Sequence, residues 1–323
     1  MKRRIVLASA IALAVPAVLR HPRAAESWPT RPVKLILPYA PGGATDILGR
    51  PWADRLSKAF GQPFVIDNRG GAAGAIGTEA VVKSAPDGYT FLFTPAGPLT
   101  VLPHLRKTAY SPEKDLVPVA RVGDLICGFI ARPELGVTTI AELVAYAKKN
   151  PGKLAYGSAG LGSSSHMRIE ALNFKAGIDI LHVPYRGSAD ALNDLLAGQI
   201  QLMNEINPLP HVKAGKLKLL NVNYPTRHPD FPNVATMAES GYADIDLPIW
   251  YALWAPAGTP PDIVAAMNAK ANEIARSQEM TQRMRDINVI VPPQTPAEMA
   301  AFLAIDSATN AKLIKAANIK LEG

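Results

Sequence analysis

The chain of 323 residues contains one cysteine, Cys127. No disulfide can form within it, and its stability must come from buried apolar area. None of the six histidines stands in His-Glu-x-x-His or His-x-His spacing, so the sequence offers no metal site. No Walker A loop is present for a nucleotide phosphate, and no Gly-x-Ser-x-Gly elbow for a serine nucleophile. The run GGAAGAIG at 70–77 follows a strand pattern but lacks the Gly-x-Gly-x-x-Gly order. It reads as a tight turn with close helix packing, and no cofactor is expected.

Strong positive charge is also missing once the N-terminus is set aside. Lys2, Arg3 and Arg4 precede a nearly apolar run of 15 residues at 5–19, with Arg20 and Arg23 behind it. The run is too short for a typical membrane span and has the layout of a secretory signal. Cleavage is expected near Ala25, leaving residues 1–25 as the signal and Glu26 as the first mature residue. The Arg3-Arg4 pair leaves the route open between the general secretory and the twin-arginine systems. The formal charge of +7 falls to about +2 without those five cations, and no basic stripe with interleaved aromatics remains, so nucleic acid is not an expected partner.

What the sequence does contain is alternation. Apolar runs at 33–40, 63–68 and 89–94 read as strands, separated by helical patterns at 45–60 and up to 84. A second series follows, with helices at 139–149 and 163–176 and strands at 154–158, 180–185, 200–206 and 217–224. The tail supplies a strand near 249–258 and two long helical patterns, 261–287 and 296–317. This is α/β grammar, with largely parallel sheets flanked by helices. The tail has too few strands for a core of its own, so it is assigned to the first unit. Two lobes result, 26–123 plus 225–323 and 124–224, joined by more than one crossing as in hinged, cleft-closing proteins.

Ligands of open α/β sheets bind at the carboxyl ends of strands. Two loops there share one composition: PYAPGGATD at 38–46 and YGSAGLGSSSH at 156–166. Both consist of Gly, Ala and small hydroxyl residues, and both run straight into a helix. Each presents free backbone N–H groups and the positive end of a helix dipole, which together make an anion site. The bland alternative is an ordinary turn in which Thr45 or Ser163 caps its helix. Asp46 fits capping better than ligand contact, because a carboxylate facing an anion repels it. Arg186, in Tyr185-Arg186-Gly187 after another strand, is a candidate partner for a ligand carboxylate or else a solvated surface residue. Trp250 and Tyr251 are candidates for a cleft wall or for core.

Longer stretches, among them WPTRPVKLILPYAPGGATD (28–46), GQPFVIDNRGGAAGAIGTEAVVKSAPDGYTFLF (61–93), YGSAGLGSSSHM (156–167) and VPYRGSADALNDLLAGQIQL (183–202), resemble the extracytoplasmic solute receptors of tripartite tricarboxylate transporters, the Bug family. The likeness is collinear over essentially the whole mature chain. It implies a periplasmic binding protein of the Venus-flytrap type, active as a monomer, that holds a small carboxylate between its lobes and presents it to membrane permease subunits. It also implies that ligand contacts fall on Tyr39, Ala40, Pro41, Gly42, Gly43 and Asp46 in the first loop, and on Gly157, Ser158, Ala159, Gly160, Ser163 and Ser164 in the second, with Tyr185, Arg186 and Gly187 beside them. The chain departs from the family at Gly70 and Asp190, where proline is usual. It departs again at LMNEINP (202–208), where a strand end often carries Phe-Asp, and this puts Asn204 among the candidate pocket residues.

The reading is a binding protein, not an enzyme, for a small carboxylate, with an aliphatic or aromatic dicarboxylate first. The alternatives are a receptor for a monocarboxylate or amino acid that acts in signalling, and a hydrolase with Ser164 as nucleophile and His166 as base.

Overall fold

A computed structural model describes residues 28–247 and 249–319. The expected signal, 1–25, lies outside them. The first half lays down β1 (Val33–Leu37), α1 (Ala44–Phe60), β2 (Phe64–Asn68), α2 (Ala75–Val82), β3 (Thr90–Pro95), a π-helical turn (Gly97–Val101), the short α3 (Leu102–Leu105) and α4 (Pro112–Asp115), and β4 (Leu116–Leu125). The middle holds β5 (Phe129–Ala131), α5 (Ile140–Lys149), β6 (Ala155–Ser158), α6 (Ser164–Ala176), β7 (Leu181–Pro184), α7 (Ser188–Ala197), β8 (Leu202–Asn204), α8 (Leu209–Lys213) and β9 (Lys218–Leu219). The tail adds β10 (Trp250–Pro256), α9 (Pro261–Arg276), α10 (Gln278–Asp286), β11 (Val289–Ile290) and α11 (Pro296–Ala316).

Two sheets form, in the orders β11-β4-β10-β3-β1-β2 and β7-β6-β8-β5-β9. The tail strand β10 enters the first sheet between β3 and β4, as its apolar sequence requires. Parallel pairing is confined to one side of each sheet: β1 with β2 and β3 in the first, β6 with β7 and β8 in the second. The remaining pairs are antiparallel. The expectation of largely parallel sheets is corrected to mixed ones for a topological reason. Strands linked through a crossover helix run parallel, whereas β5 and β10, each entered directly from a passage between the sheets, run against both their neighbours, as the edge strand β11 runs against β4.

The helical pattern at 261–287 is two helices rather than one. Ser277 closes α9, and its side chain accepts from the Met280 N–H to cap α10. The strand expected over 217–224 shrinks to β9, followed by isolated bridges of Cys127 with Asn223 and Val222 with Thr236. Residues 236–245 pack on the second lobe, not the first, because Met237 and Ile245 are buried in its core with Phe129 and Tyr156.

The chain leaves the first sheet through Ile126, Cys127 and Gly128. Its return path lies against this segment, with the Asn223 N–H donating to the Cys127 carbonyl at 2.6 Å. A Cβ on Gly128 would overlap the Asn221 carbonyl, so only glycine lets the two passages lie this close. One apolar core runs through this hinge, joining Val122, Leu125 and Tyr251 to Ile130, Met203 and Leu209.

Candidate functional site

Three long helices begin at the cleft between the sheets. α1 starts after Gly43, α6 after Ser163 and α7 after Gly187, each of these residues having extended backbone. The sequence permits this meeting because every one of these starts is built from Gly, Ala, Ser or Thr, which leave room for close approach. They surround a cavity of ≈ 20 Å³, room for about one water. Its walls are Tyr39, Gly43, Ala44, Thr45 and Pro95 from one side, Ala159, Ser163, Ser164, Ser188 and Glu205 from the other, and Ile249 and Tyr251 at the back. No lysine or arginine lines it among the described residues. Positive potential there comes from helix ends and backbone N–H groups.

The two lobes touch through these ends. The Ala44 N–H donates to Ser188 Oγ at 3.1 Å, and a Cβ on Gly43 would stand 3.0 Å from the same oxygen. Gly97, in the π-turn, faces Gly162 and Ser163 so closely that an added Cβ would lie 3.1 Å from the Gly162 carbonyl. Within the second loop, Ser163 Oγ accepts from the His166 N–H at 3.3 Å, and Ser165 Oγ accepts from the Ala159 N–H at 3.2 Å. Ser164 Oγ is buried and has no hydrogen-bond partner among the described residues. Its residue lines this cavity and a smaller one behind it, walled by Met167, Arg168 and Asp306.

Of the residues expected from sequence, Tyr39, Gly43, Ala159, Ser163 and Ser164 line this cavity. Pro41 and Gly42 are exposed, and Ala40 is half-buried at the rim. Asp46 turns back on its own helix start, accepting from the Gly42 N–H at 3.1 Å and pairing with Arg50 at 2.8 Å. Gly157 and Ser158 lie beneath the loop. Ser158 Oγ accepts from the Gly160 N–H and sits 2.6 Å from His182 Nε2, which fixes the turn from below. Gly160, at φ 110°, and Tyr185 and Arg186 open onto a separate outer groove of ≈ 300 Å³ shared with Arg106. Arg186 is exposed there, and Gly187 is buried against Ala40.

Asn204 is the clearest correction. It is fully buried but does not line the cavity. Its amide accepts from Arg168 at 3.2 Å and donates to Asn223 at 2.8 Å, within the hinge. Adjacent residues of an extended strand point to opposite faces, and Glu205, one position on, takes the cleft side. The two side chains of the hydrolase alternative are not hydrogen-bonded to each other. Ser164 Oγ bonds to nothing, while His166 Nδ1 accepts from the Gly162 N–H at 3.3 Å and its ring lies 4.3 Å from that of His182.

Burial depresses both histidines, His166 to about 3 and His182 to about 4, so both are neutral at pH 7. Burial lifts Glu205 to about 7, against the opposing pull of the Ser165 hydroxyl and of Arg168. Ser188 and Thr45 were legible as further helix starts of the same small-residue kind. Trp250 and Tyr251 divide as neighbours on a strand do: Tyr251 walls the cleft, and Trp250 packs in the core against Trp254 and Phe302. Pro95 and Ile249 carried no local signal, and within the marked segment 202–208 the residue that lines the cavity is Glu205 rather than Asn204.

Residues 48–319 match the family model described as the tripartite tricarboxylate transporter family receptor. Protein BugT of Bordetella pertussis is 36% identical over 305 residues, 93% of this chain and 94% of that protein. Among solved structures, Rpa4515 of R. palustris with adipate is 35% identical with a TM-score of 0.87, covering 91% of this chain and 99% of that one. MatC of Rhodopseudomonas palustris with bound malate is 30% identical with a TM-score of 0.84, covering 89% and 100%.

Proposed function

Because the chain belongs to the tripartite tricarboxylate transporter receptor family, we propose that it captures a small carboxylate in the interlobe cleft, in the periplasm, and hands it to the permease subunits of such a transporter. The observation that carries this reading is the convergence of helix starts from both lobes on one cavity that, among the described residues, no cationic side chain lines. An anion placed there takes hydrogen bonds from backbone N–H groups and from the hydroxyls of Thr45, Ser163, Ser164 and Ser188. Each charged hydrogen bond contributes about 1.5 to 3 kcal/mol. A few of them are enough for the roughly 8 kcal/mol of a micromolar complex after ordering costs.

A dicarboxylate is the preferred class. Two opposed sets of helix starts suit two acid groups, and relatives solved with adipate and malate support the choice. The ≈ 20 Å³ of the closed cleft is smaller than any such molecule, so the lobes part for entry and close again on the ligand. The test is a thermal-shift screen of the mature protein against linear and aromatic mono-, di- and tricarboxylates, with product analysis of each mixture. A stabilised protein and an unchanged ligand support a receptor. Turnover of the ligand, or no stabilisation by any carboxylate, would sink the reading.

A further inference from the structure

Glu205 is out of place in a site for anions. It is a wall of the cavity, 6% exposed, and the only acidic side chain lining it among the described residues. A bare carboxylate there repels a bound dicarboxylate and receives little solvent screening.

The protein's own groups leave it unneutralised. The Ser165 hydroxyl lies near enough to pull its pKa down, but that oxygen meets Ser163 Oγ at 3.1 Å and accepts from the Ala159 N–H. Tyr39 and Tyr251 face it from the β1–α1 loop and β10, but they bond elsewhere, Tyr39 donating to the Ala73 carbonyl and Tyr251 meeting Thr45. Cys127 faces it from the hinge as a neutral thiol. The nearest cation is Arg168 on α6, whose guanidinium is committed to other acceptors. Its Nε and Nη2 donate to the Leu247 carbonyl at 2.7 and 2.5 Å, and its Nη1 to Asn204 at 3.2 Å and the Cys127 sulfur at 3.5 Å. Glu205 therefore keeps acceptor capacity directed at the ligand space, beside helix starts that hold carboxylate groups.

We infer that Glu205 is the specificity-determining residue of the cleft, accepting from an ammonium group on the ligand, so that amino-substituted carboxylates are selected over plain diacids. A hydroxyl substituent is the weaker donor to the same oxygen. A donor cancels the cost of the buried acceptor, and a cationic donor cancels its charge as well. A plain diacid brings a methylene to that spot and leaves Glu205 unpaired. It binds only with Glu205 protonated, and so loses affinity as pH rises through neutrality.

This inference rests on the receptor reading, and calorimetry with matched ligands separates the two. The probes are succinate, malate and aspartate, with the corresponding plain, hydroxy and amino diacids of five and six carbons. The native protein is expected to bind the amino member of its preferred length at least tenfold more tightly than the plain one, with the hydroxy member between them. Raising the pH from 6 to 8 should widen that gap. In Glu205→Gln, with circular dichroism to confirm folding, the three should fall within about threefold of one another. A native protein that prefers the plain diacid, or a folded variant that keeps the native order, overturns the role of Glu205 and leaves the receptor reading intact. If no member of any series binds, and the wider carboxylate screen is also negative, both fall together.

Discussion

Ser188 Oγ accepts the Ala44 N–H at 3.1 Å across the cleft, so the first residue of α7 in one lobe is bonded to the first residue of α1 in the other. This bond is made only when the lobes are closed. A net contribution of about 0.5 to 1.5 kcal/mol is usual for such a bond, equivalent to roughly two- to tenfold in the closed-to-open ratio. Ser188→Ala should therefore enlarge the radius of gyration of the ligand-free protein in small-angle scattering. An unchanged curve would show that closure does not depend on this contact.

Glycine at 43 and 97 keeps the lobes close. Gly43 has ordinary backbone angles, φ −82° and ψ 179°, so valine there costs little conformationally but drives its side chain into Ser188. Gly43→Val is expected to lower ligand affinity at least a hundredfold with the melting temperature nearly unchanged. Gly97→Ala, pressing on the Gly162 carbonyl, should cost affinity in the same direction but less. Calorimetry on folded variants decides, and native affinity in both would remove the helix starts from the site.

Stability should fall in acid through the packed pair of histidines. Groups held below their ordinary value of 6.5, His166 at about 3 and His182 at about 4, bind fewer protons folded than unfolded. Their contribution is complete above about pH 6.5 and is lost as pH falls toward 4. Glu205 works the other way. Raised from 4.5 to about 7, it takes up its proton in the folded state first, so its contribution is present in acid and disappears as pH rises from 4.5 through 7. His182→Asn should flatten the acid arm of melting temperature against pH, and Glu205→Gln should steepen it.

Arg168 is 2% exposed and supports three neighbours at once. Arg168→Met keeps much of the volume but strands the Leu247 carbonyl and the Asn204 amide. A loss of at least about 2 kcal/mol is expected from urea unfolding. A smaller loss would mean that the hinge network rearranges around the gap.

The charge and hydropathy layout of the first 25 residues predicts export. N-terminal sequencing of the protein from its native host should return a chain beginning near Glu26. Replacing Arg3 and Arg4 by Lys should stop export only if the twin-arginine route is used.

The lobed α/β plan was legible because a buried strand followed by a capped helix leaves a local mark. Val33–Leu37 before Ala44–Phe60 is apolar along nearly its whole length, then changes to helical spacing behind glycine. The antiparallel half of each sheet left no such mark, since β4 and β10 meet across more than a hundred residues. The site divided in the same way. Backbone-rich loops such as 38–46 announce themselves by composition. Glu205 does not, because whether position 204 or 205 faces the cleft depends on a strand register that only the assembled sheet sets.

The apolar core that passes through the hinge has a consequence for how the molecule comes apart. Val122 and Ile126 on one side are packed in the same cluster as Ile130, Met203 and Leu217 on the other. Neither half can shed its structure without exposing surface that the other half was covering. Heating should therefore melt both lobes in one transition, and either lobe expressed alone should fail to hold its shape.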